Sequence, residues 1–498
     1  MNSQRKIGAV LSYFNIVLKN IVNFLYTPFL LRYVGQGDYG LFQMTNSVMI
    51  SLSLLSMGFS SAYVKFYISY KVKKDQEKIN KLNALFLLLF LTISFIALII
   101  GGGLIANINL FFGASLSSRE LRLTKYLMVV MVLSIAITFI SSVFDSNITV
   151  NEQFAFQQSR QLIQTLLVPV ICIPLVLLGV GVLSIVLTQF IVTLIFLIIN
   201  VNYCIRKLEM SFNFNKLPIG LLKSLTAFSF FIFLNQMVDI VNNNSPNFIL
   251  GMFKGARLVA TFAIANQIKN MFFMLSTSLS SIFVPQINIL VNKDEGKDEL
   301  TNLMIKVGRI QSAILFCVVG GFISIGRYFV LIWAGKENLD AYLLVIVMVL
   351  PSIIPLSQNV GIEIQRAMNK HIFRSIVYSI FAVINIIVTI IGIKYIGLMG
   401  AALGYVISIL LANGILMNWY YQVKMNLNMK KYWRMTTGIL IPFFVATGVS
   451  LLIGNIIEVN SLVKFIIVGL IYLIIYSIIY LKFIATDYER NLIRPLKK

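Results

Sequence analysis

Lys19 stands in the middle of an otherwise apolar stretch, LSYFNIVLKNIVNFLY at 11–26. A cation in such surroundings offers two kinds of chemistry, binding an anion or pairing with a buried carboxylate. At the centre of a bilayer it would cost about 2.5–3.5 kcal/mol on insertion scales, so it has to face water or a partner. Asp239, in FFIFLNQMVDIVNNNSP at 230–246, is the matching acid. Two readings of the pair stand: groups that meet or share a water in a working cavity, and a static ion pair that fixes two parts of the chain together. Lys269, in ANQIKNMFFML, and Lys65, in SSAYVKFY, are further cations in apolar runs. For each, snorkelling to the membrane interface is the alternative to facing a cavity. Glu363 is a second candidate, after Asp239, for ion coupling.

Amides gather on the same segments: Asn15, Asn20 and Asn23 around Lys19, Asn235, Gln236 and Asn242–Asn244 around Asp239, and Asn46, Asn266 and Gln267 at the starts of the segments that follow. Together with the lysines they would make a cavity suited to sugar hydroxyls and phosphate oxygens, with Lys19, Lys65, Lys269, Asn46 and Asn266 as its substrate-binding residues. Taken singly, such amides also join helices to one another. Signs of enzyme chemistry are missing. His371 is the single histidine, the three cysteines have no metal-ligand or disulfide spacing, and no phosphate-binding Gly-x4-Gly-Lys-Ser/Thr loop occurs. No cofactor or metal is expected, and the chain is not read as an enzyme.

The elements that must hold these residues follow from composition. Of 498 residues, 58% are hydrophobic and 12% charged, with a mean hydropathy of +0.87. Soluble domains carry about 25% charged residues, so the solvent of this chain is lipid. The formal net charge of +23 is assigned to loops that anchor spans, not to nucleic acid. A cleavable signal peptide is not expected, because the first apolar run is too long for one.

Apolar runs of spanning length fall at 8–31, 42–68, 84–106, 125–146, 161–180 and 182–203, and again at 224–249, 262–289, 308–330, 341–362, 373–396, 398–422, 435–456 and 462–484. They predict an all-α integral membrane protein of about fourteen helices. Lys and Arg concentrate on one set of alternate loops, KVKKDQEKINK at 71–81 foremost, which puts both termini in the cytoplasm. The stretch FLLRYVGQGDYGLFQMTN at 29–46 returns loosely as ILGMFKGARLVATFAIAN at 249–266, with Leu30, Gly35, Phe42 and Asn46 meeting Leu250, Gly255, Phe262 and Asn266. The same displacement carries Lys19 onto Asp239. A second echo joins the turn LFFGAS, with Gly113, to LIWAGKEN, with Gly335, both read as short interfacial helices on the outer face. The chain is therefore read as a parallel repeat: a six-helix lobe at 1–203, a cytoplasmic linker at 204–223, a second six-helix lobe at 224–422, and two extra helices with a tail at 423–498.

Prolines 28, 169, 174, 246, 285, 351, 355 and 442 fall inside these spans and predict kinks, those of Pro28 and Pro246 at corresponding places. Gly400 and Gly404 are expected to let two helices approach closely.

LLRYVGQGDYGLFQ at 30–43, GFSSAYVK at 58–65, FILG at 248–251, EIQRAMNKHIFRS at 363–375 and GLMGAALGY at 397–405, in this order and with this span count, resemble the bacterial polysaccharide-biosynthesis flippases. These are the O-antigen and capsule repeat-unit translocases, related to MATE drug exporters and lipid II flippases. The resemblance implies a V-shaped, two-lobed fold with a central cavity. It also implies alternating access that turns an undecaprenyl-pyrophosphate-linked oligosaccharide from the cytoplasmic to the outer leaflet of the inner membrane. In such flippases basic residues on spans 1, 2 and 8 matter. Lys65 matches the span 2 position; Lys19 and Lys269 match by span. Drug-exporting relatives often carry a carboxylate in span 1, where this chain has Lys19. The expected partners are the lipid-linked oligosaccharide with its anionic head group, H+ or Na+ as coupling ion, membrane lipids, and a polysaccharide polymerase and glycosyltransferases, with the protein itself a monomer. A MATE-type multidrug exporter, and a non-transporting scaffold for glycosyltransferases, are the competing readings.

Overall fold

The structure is a computed structural model that describes residues 3–56, 58–280, 283–292 and 296–493. Residues 281–282 of the expected eighth span, 293–295 of the loop after it, 494–498 of the tail and the side chain of Asn235 lie outside the described residues. Everything described is helix or connection. Thirteen helical segments are long and apolar enough to cross a membrane, and a 34-residue helix at Leu221–Lys254 occupies the place of the expected seventh span. The chain is an all-helical, multi-pass membrane protein.

The chain divides into two compact units, Met1–Ala260 and Thr261–Lys498. The first holds α1 (Ser3–Tyr33), α2 (Gln36–Leu52), α3 (Phe59–Val72), α4 (Gln76–Ala106), α5 (Ile108–Phe112), α6 (Ser118–Val150), α7 (Phe154–Leu177), α8 (Leu183–Arg206) and α9 (Leu221–Lys254). α10 (Ala256–Ser280) begins at its edge and runs into the second unit. The second continues with α11 (Val284–Val291), α12 (Gly296–Ala334), α13 (Ala341–Ser357), α14 (Asn359–Ala367), α15 (Ile372–Ile396), α16 (Gly400–Ser408), α17 (Asn418–Val423), α18 (Met429–Thr436), α19 (Leu440–Ile457), α20 (Leu462–Ile479) and α21 (Asp487–Ile493).

Helix ends follow local chemistry. Ser117 and Glu120 form a reciprocal capping box that starts α6, as the S-x-x-E pattern dictates. Asp75 caps α4 by accepting from the Lys78 amide at 3.0 Å. Gly35 and Gly255, paired by the repeat, share one backbone conformation (φ 90°, ψ 157° and φ 85°, ψ 175°) just before α2 and α10. A positive φ of this kind is open to glycine at little cost. The second echo does not extend to the backbone: Gly335 has φ 87°, whereas Gly113 is helical at φ −62°.

Several expected spans are broken. The second divides at Gly58, a left-handed residue (φ 69°), into α2 and α3. The tenth divides after Ser357 into α13 and α14. The twelfth widens into a π-helix over Ile409–Met417 between α16 and α17. Pro28, Pro169, Pro174, Pro246, Pro351 and Pro355 lie within helices as expected. Pro285 and Pro442 instead fall in the first turns of α11 and α19, where no intrahelical donor is lost.

In the first unit an aromatic core of Phe59, Tyr63, Phe86, Phe90, Phe139 and Phe144 joins α3, α4 and α6. Tyr63 donates to Asn83 Oδ1 (2.7 Å) and accepts from Asn147 Nδ2 (2.9 Å), while Asn83 Nδ2 donates to the Ser211 carbonyl (2.9 Å). The segment after α8 is thereby pinned to α4. α9 packs on α2: a Cβ on Gly251 would clash with the Met44 side chain, and one on Gly40 with the Ala256 backbone. Buried Asn247 donates to Ser47 Oγ at 3.2 Å.

In the second unit α15 shows the inverted amphipathicity of a lipid-facing helix. Ile376, Ile380, Val383, Ile387 and Ile391 are exposed, whereas Asn385, Thr389 and Gly392 are buried against α16. The expected close approach is there, and its partner is Gly392: a Cβ on Gly400 would lie 2.0 Å from the Gly392 carbonyl. Gly400→Ala is accordingly expected to destabilise this unit by about 1–3 kcal/mol, the usual cost of overpacking, seen as a lowered melting temperature of the purified protein. An unchanged melting temperature would show that the two helices have room to part.

Candidate functional site: a polar cleft in the first unit

α1 and α7 pack side by side, and each turns a polar row toward a cleft of about 690 Å³. Ser12, Asn15, Lys19, Val22 and Tyr26 come from α1, at alternating steps of three and four that define one helical face, with Asn23 beside them. Gln158, Gln161, Thr165 and Val168 repeat the pattern on α7 with Gln164 beside them, and Ser134 of α6 with Gln189 and Thr193 of α8 complete the wall. Asn15 Nδ2 fixes the register by donating to Gln158 Oε1 (2.9 Å) and to the Gln158 carbonyl (2.8 Å). Lys19 is exposed to the cleft. Its neighbours there are amides and hydroxyls, and the described lining contains no carboxylate.

The remaining sequence-predicted residues stand elsewhere. Asp239 is exposed on α9, where its carbonyl accepts from Asn243 Nδ2 at 2.9 Å. Among the described ion pairs none joins Lys19 to Asp239, because α1 packs chiefly on α7 while α9 packs on α2 and α3. Lys65 is exposed on α3, with Nζ 6.0 Å from the Phe66 ring, and Asn46 is half-buried on α2. In the second unit Asn266 is half-buried on α10. Lys269 is 2% exposed, its Nζ 4.2 Å from the centre of the Tyr405 ring, whose hydroxyl meets Ser352 Oγ at 2.8 Å. Glu363 accepts from Arg366 at 2.8 Å near the protein surface. Of the amides expected around Lys19, Asn15 and Asn23 line the cleft. Asn20 turns back to donate to the Ile16 carbonyl.

Sequence reading missed the α7 wall. Its signal was available: the spacing Gln158, Gln161, Thr165 places polar groups on one face of a largely apolar helix, which lipid would not tolerate.

A family profile described as polysaccharide biosynthesis protein matches residues 8–290, a span that contains every residue lining the cleft. The chain belongs to this family. Among solved structures, this polysaccharide biosynthesis protein is similar to a lipid II flippase, MurJ, in an inward closed conformation, with a TM-score of 0.71 at 18% identity over 98% of this chain and 99% of that one. It is also similar to an inward-facing MATE-family multidrug resistance transporter (TM-score 0.62, 15% identity, 83% of this chain and 95% of that one). A point mutant of the Vibrio cholerae MATE transporter VcmN gives 0.56 at 12% identity, over 87% of this chain and all of that one. No curated protein matches by sequence. At these identities the likeness establishes a shared fold. The proteins that share it are flippases and transporters, not catalytic enzymes.

Proposed function

We propose that this protein turns a lipid-linked oligosaccharide, carried on a polyprenyl pyrophosphate such as undecaprenyl pyrophosphate, from the cytoplasmic to the outer leaflet of a bacterial inner membrane by alternating access. The observation that carries this reading is Lys19, placed in a cleft walled by amides and hydroxyls with no carboxylate among the described lining. An ammonium supplies a charge for phosphate, and amides and hydroxyls match sugar oxygens. A cationic drug would find no counter-charge there, which disfavours multidrug export despite the shared fold. The family match supports a role in surface polysaccharide assembly, O-antigen or capsule.

In this scheme Lys65, Lys269, Asn46 and Asn266 contribute to the path in other states of the cycle, and Asp239 and Glu363 carry H+ or Na+ if an ion is coupled. Residues 1–203 and 224–422 act as the two repeat lobes, 204–223 as a cytoplasmic linker and 423–498 as an appendage. Both termini lie in the cytoplasm, and a monomer delivers product to a polymerase.

The test is a pair of assays on the same proteoliposomes. Protein-dependent movement of a fluorescent polyprenyl-pyrophosphate oligosaccharide between leaflets is expected, together with no gradient-driven ethidium efflux. Ethidium movement without lipid movement would overturn the reading in favour of a drug exporter.

A further inference from the structure

Behind the α7 wall lies an ion pair that the cleft does not use. Arg160 Nη1 donates to Asp145 Oδ1 of α6 at 2.5 Å. Asn200 of α8, fully buried, donates through Nδ2 to the same oxygen at 3.1 Å and to Ser141 Oγ at 3.1 Å. Ser141 Oγ in turn donates to Asp145 Oδ2 at 3.3 Å. The Arg160 side chain is 10% exposed and that of Asp145 32%, so three helices meet on a charge pair whose cation is buried and whose acid is half-buried.

This cluster is continuous with the cleft. On α6, Ser134, Ser141 and Asp145 share a helical face, as do Gln189, Thr193 and Asn200 on α8. On α7, Arg160 sits between the lining residues Gln158 and Gln161, one turn before Gln164. The Asn15–Gln158 hydrogen bonds put α1 and α7 in register, so Arg160 stands within about one helical turn of the level of Lys19.

The cluster is also incomplete. A guanidinium has five N–H donors, yet Arg160 Nε is buried with no partner. Asn200 Oδ1 is buried and unpartnered as well. Buried polar atoms in this state each cost about 1–3 kcal/mol, which a purely structural pair would have no reason to keep beside a polar cleft. A guanidinium with unspent donors matches the bidentate geometry of phosphate.

We propose that Arg160 is a second phosphate-binding cation of this cleft, held in reserve by Asp145: arriving phosphate oxygens displace the carboxylate, and Arg160 joins Lys19 in holding the anion. This rests on the reading of the cleft as a site for a pyrophosphate-bearing lipid.

The test measures binding of inorganic pyrophosphate to the purified full-length protein in lipid nanodiscs. Asp145→Asn removes the competitor and is expected to tighten binding about tenfold, the size of one charge-assisted hydrogen bond. The gain should vanish in Asp145→Asn with Arg160→Gln. An unchanged affinity in the single variant, or a gain that survives in the double variant, would overturn the proposal and leave a structural pair hydrated by a trapped water. Arg160→Lys gives an independent reading should Asp145→Asn fail to fold. It can still neutralise Asp145 but lacks the planar fork, so affinity should fall several-fold at an unchanged melting temperature; an unaltered affinity would also overturn the proposal. Lys19→Gln separates the two claims. Weaker binding there with a flat Asp145–Arg160 cycle removes only this proposal, whereas no effect there with a positive cycle leaves the Arg160 site standing without the Lys19 reading.

Discussion

The Lys19→Glu protein is expected to lose lipid-linked oligosaccharide movement by about 10- to 100-fold, at normal membrane abundance. The lower bound follows from removing a charge-assisted contact worth about 1.5–3 kcal/mol. The upper follows from adding a like charge to an anion's path, where Lys19 is the cation among the described lining residues and Arg160 is already paired with Asp145. Folding should be affected little, because Lys19 is exposed to the cleft and α1 is held by the Asn15–Gln158 bonds one turn away. Lys19→Arg should keep most of the activity and Lys19→Ala should fall between. Export in a strain dependent on this protein, normalised to membrane abundance, is the readout. Full activity of the glutamate variant would take Lys19 out of the path.

The second large effect lies in the other unit. Arg309, on α12, donates to both carboxylate oxygens of Glu489 on α21 at 2.7 and 2.9 Å. It also donates to the carbonyls of Met435 and of Ile484. The side chains are 6% and 4% exposed, so removing one partner strands a buried charge. Glu489→Ala or Arg309→Ala is expected to destabilise this unit by about 3–5 kcal/mol. Exchanging the two for well-packed apolar residues should cost much less. Thermal unfolding of the three variants in detergent distinguishes them; equal melting temperatures throughout would mean the pair carries no weight.

The same tie has a pH dependence. Burial alone would raise the Glu489 carboxyl, but hydrogen bonds from Arg309 and the Thr486 amide, with the Arg309 charge, outweigh it and hold the group below the usual carboxylate range. A depressed acid contributes stability that is complete above its unfolded pKa and is lost as pH falls through the folded one. Wild-type stability should therefore decline in acid below the ordinary glutamate range, and Glu489→Gln should flatten that decline.

Much of this was legible in the residues. Spans were readable because lipid demands long apolar runs, and Lys19 stood out because lipid penalises charge. The paired glycines Gly35 and Gly255 were found by spacing alone and share a backbone conformation. What escaped depends on partners far apart in sequence. Nothing near Arg309 in the sequence announces its partner, which lies 180 residues on. Asp145 and Arg160 flank a turn, and their third partner, Asn200, comes from α8, 40 or more residues on. The break at Gly58 was hidden because the flanking apolar residues serve a broken span as well as a straight one. The π segment at Ile409–Met417 carries no proline or charge to announce it.

The Arg309–Glu489 tie bears on how the protein is made. Its partners lie 180 residues apart. At about 5–20 residues per second, a ribosome needs on the order of 10–40 s to deliver the acid after the arginine. During that interval α12 is inserted with a guanidinium whose permanent counter-ion has not yet been synthesised, so the second unit cannot reach its final packing until α21 arrives. Loss of α21 would then leave a chain whose spans are all inserted and whose unit remains open, the form that membrane proteases remove.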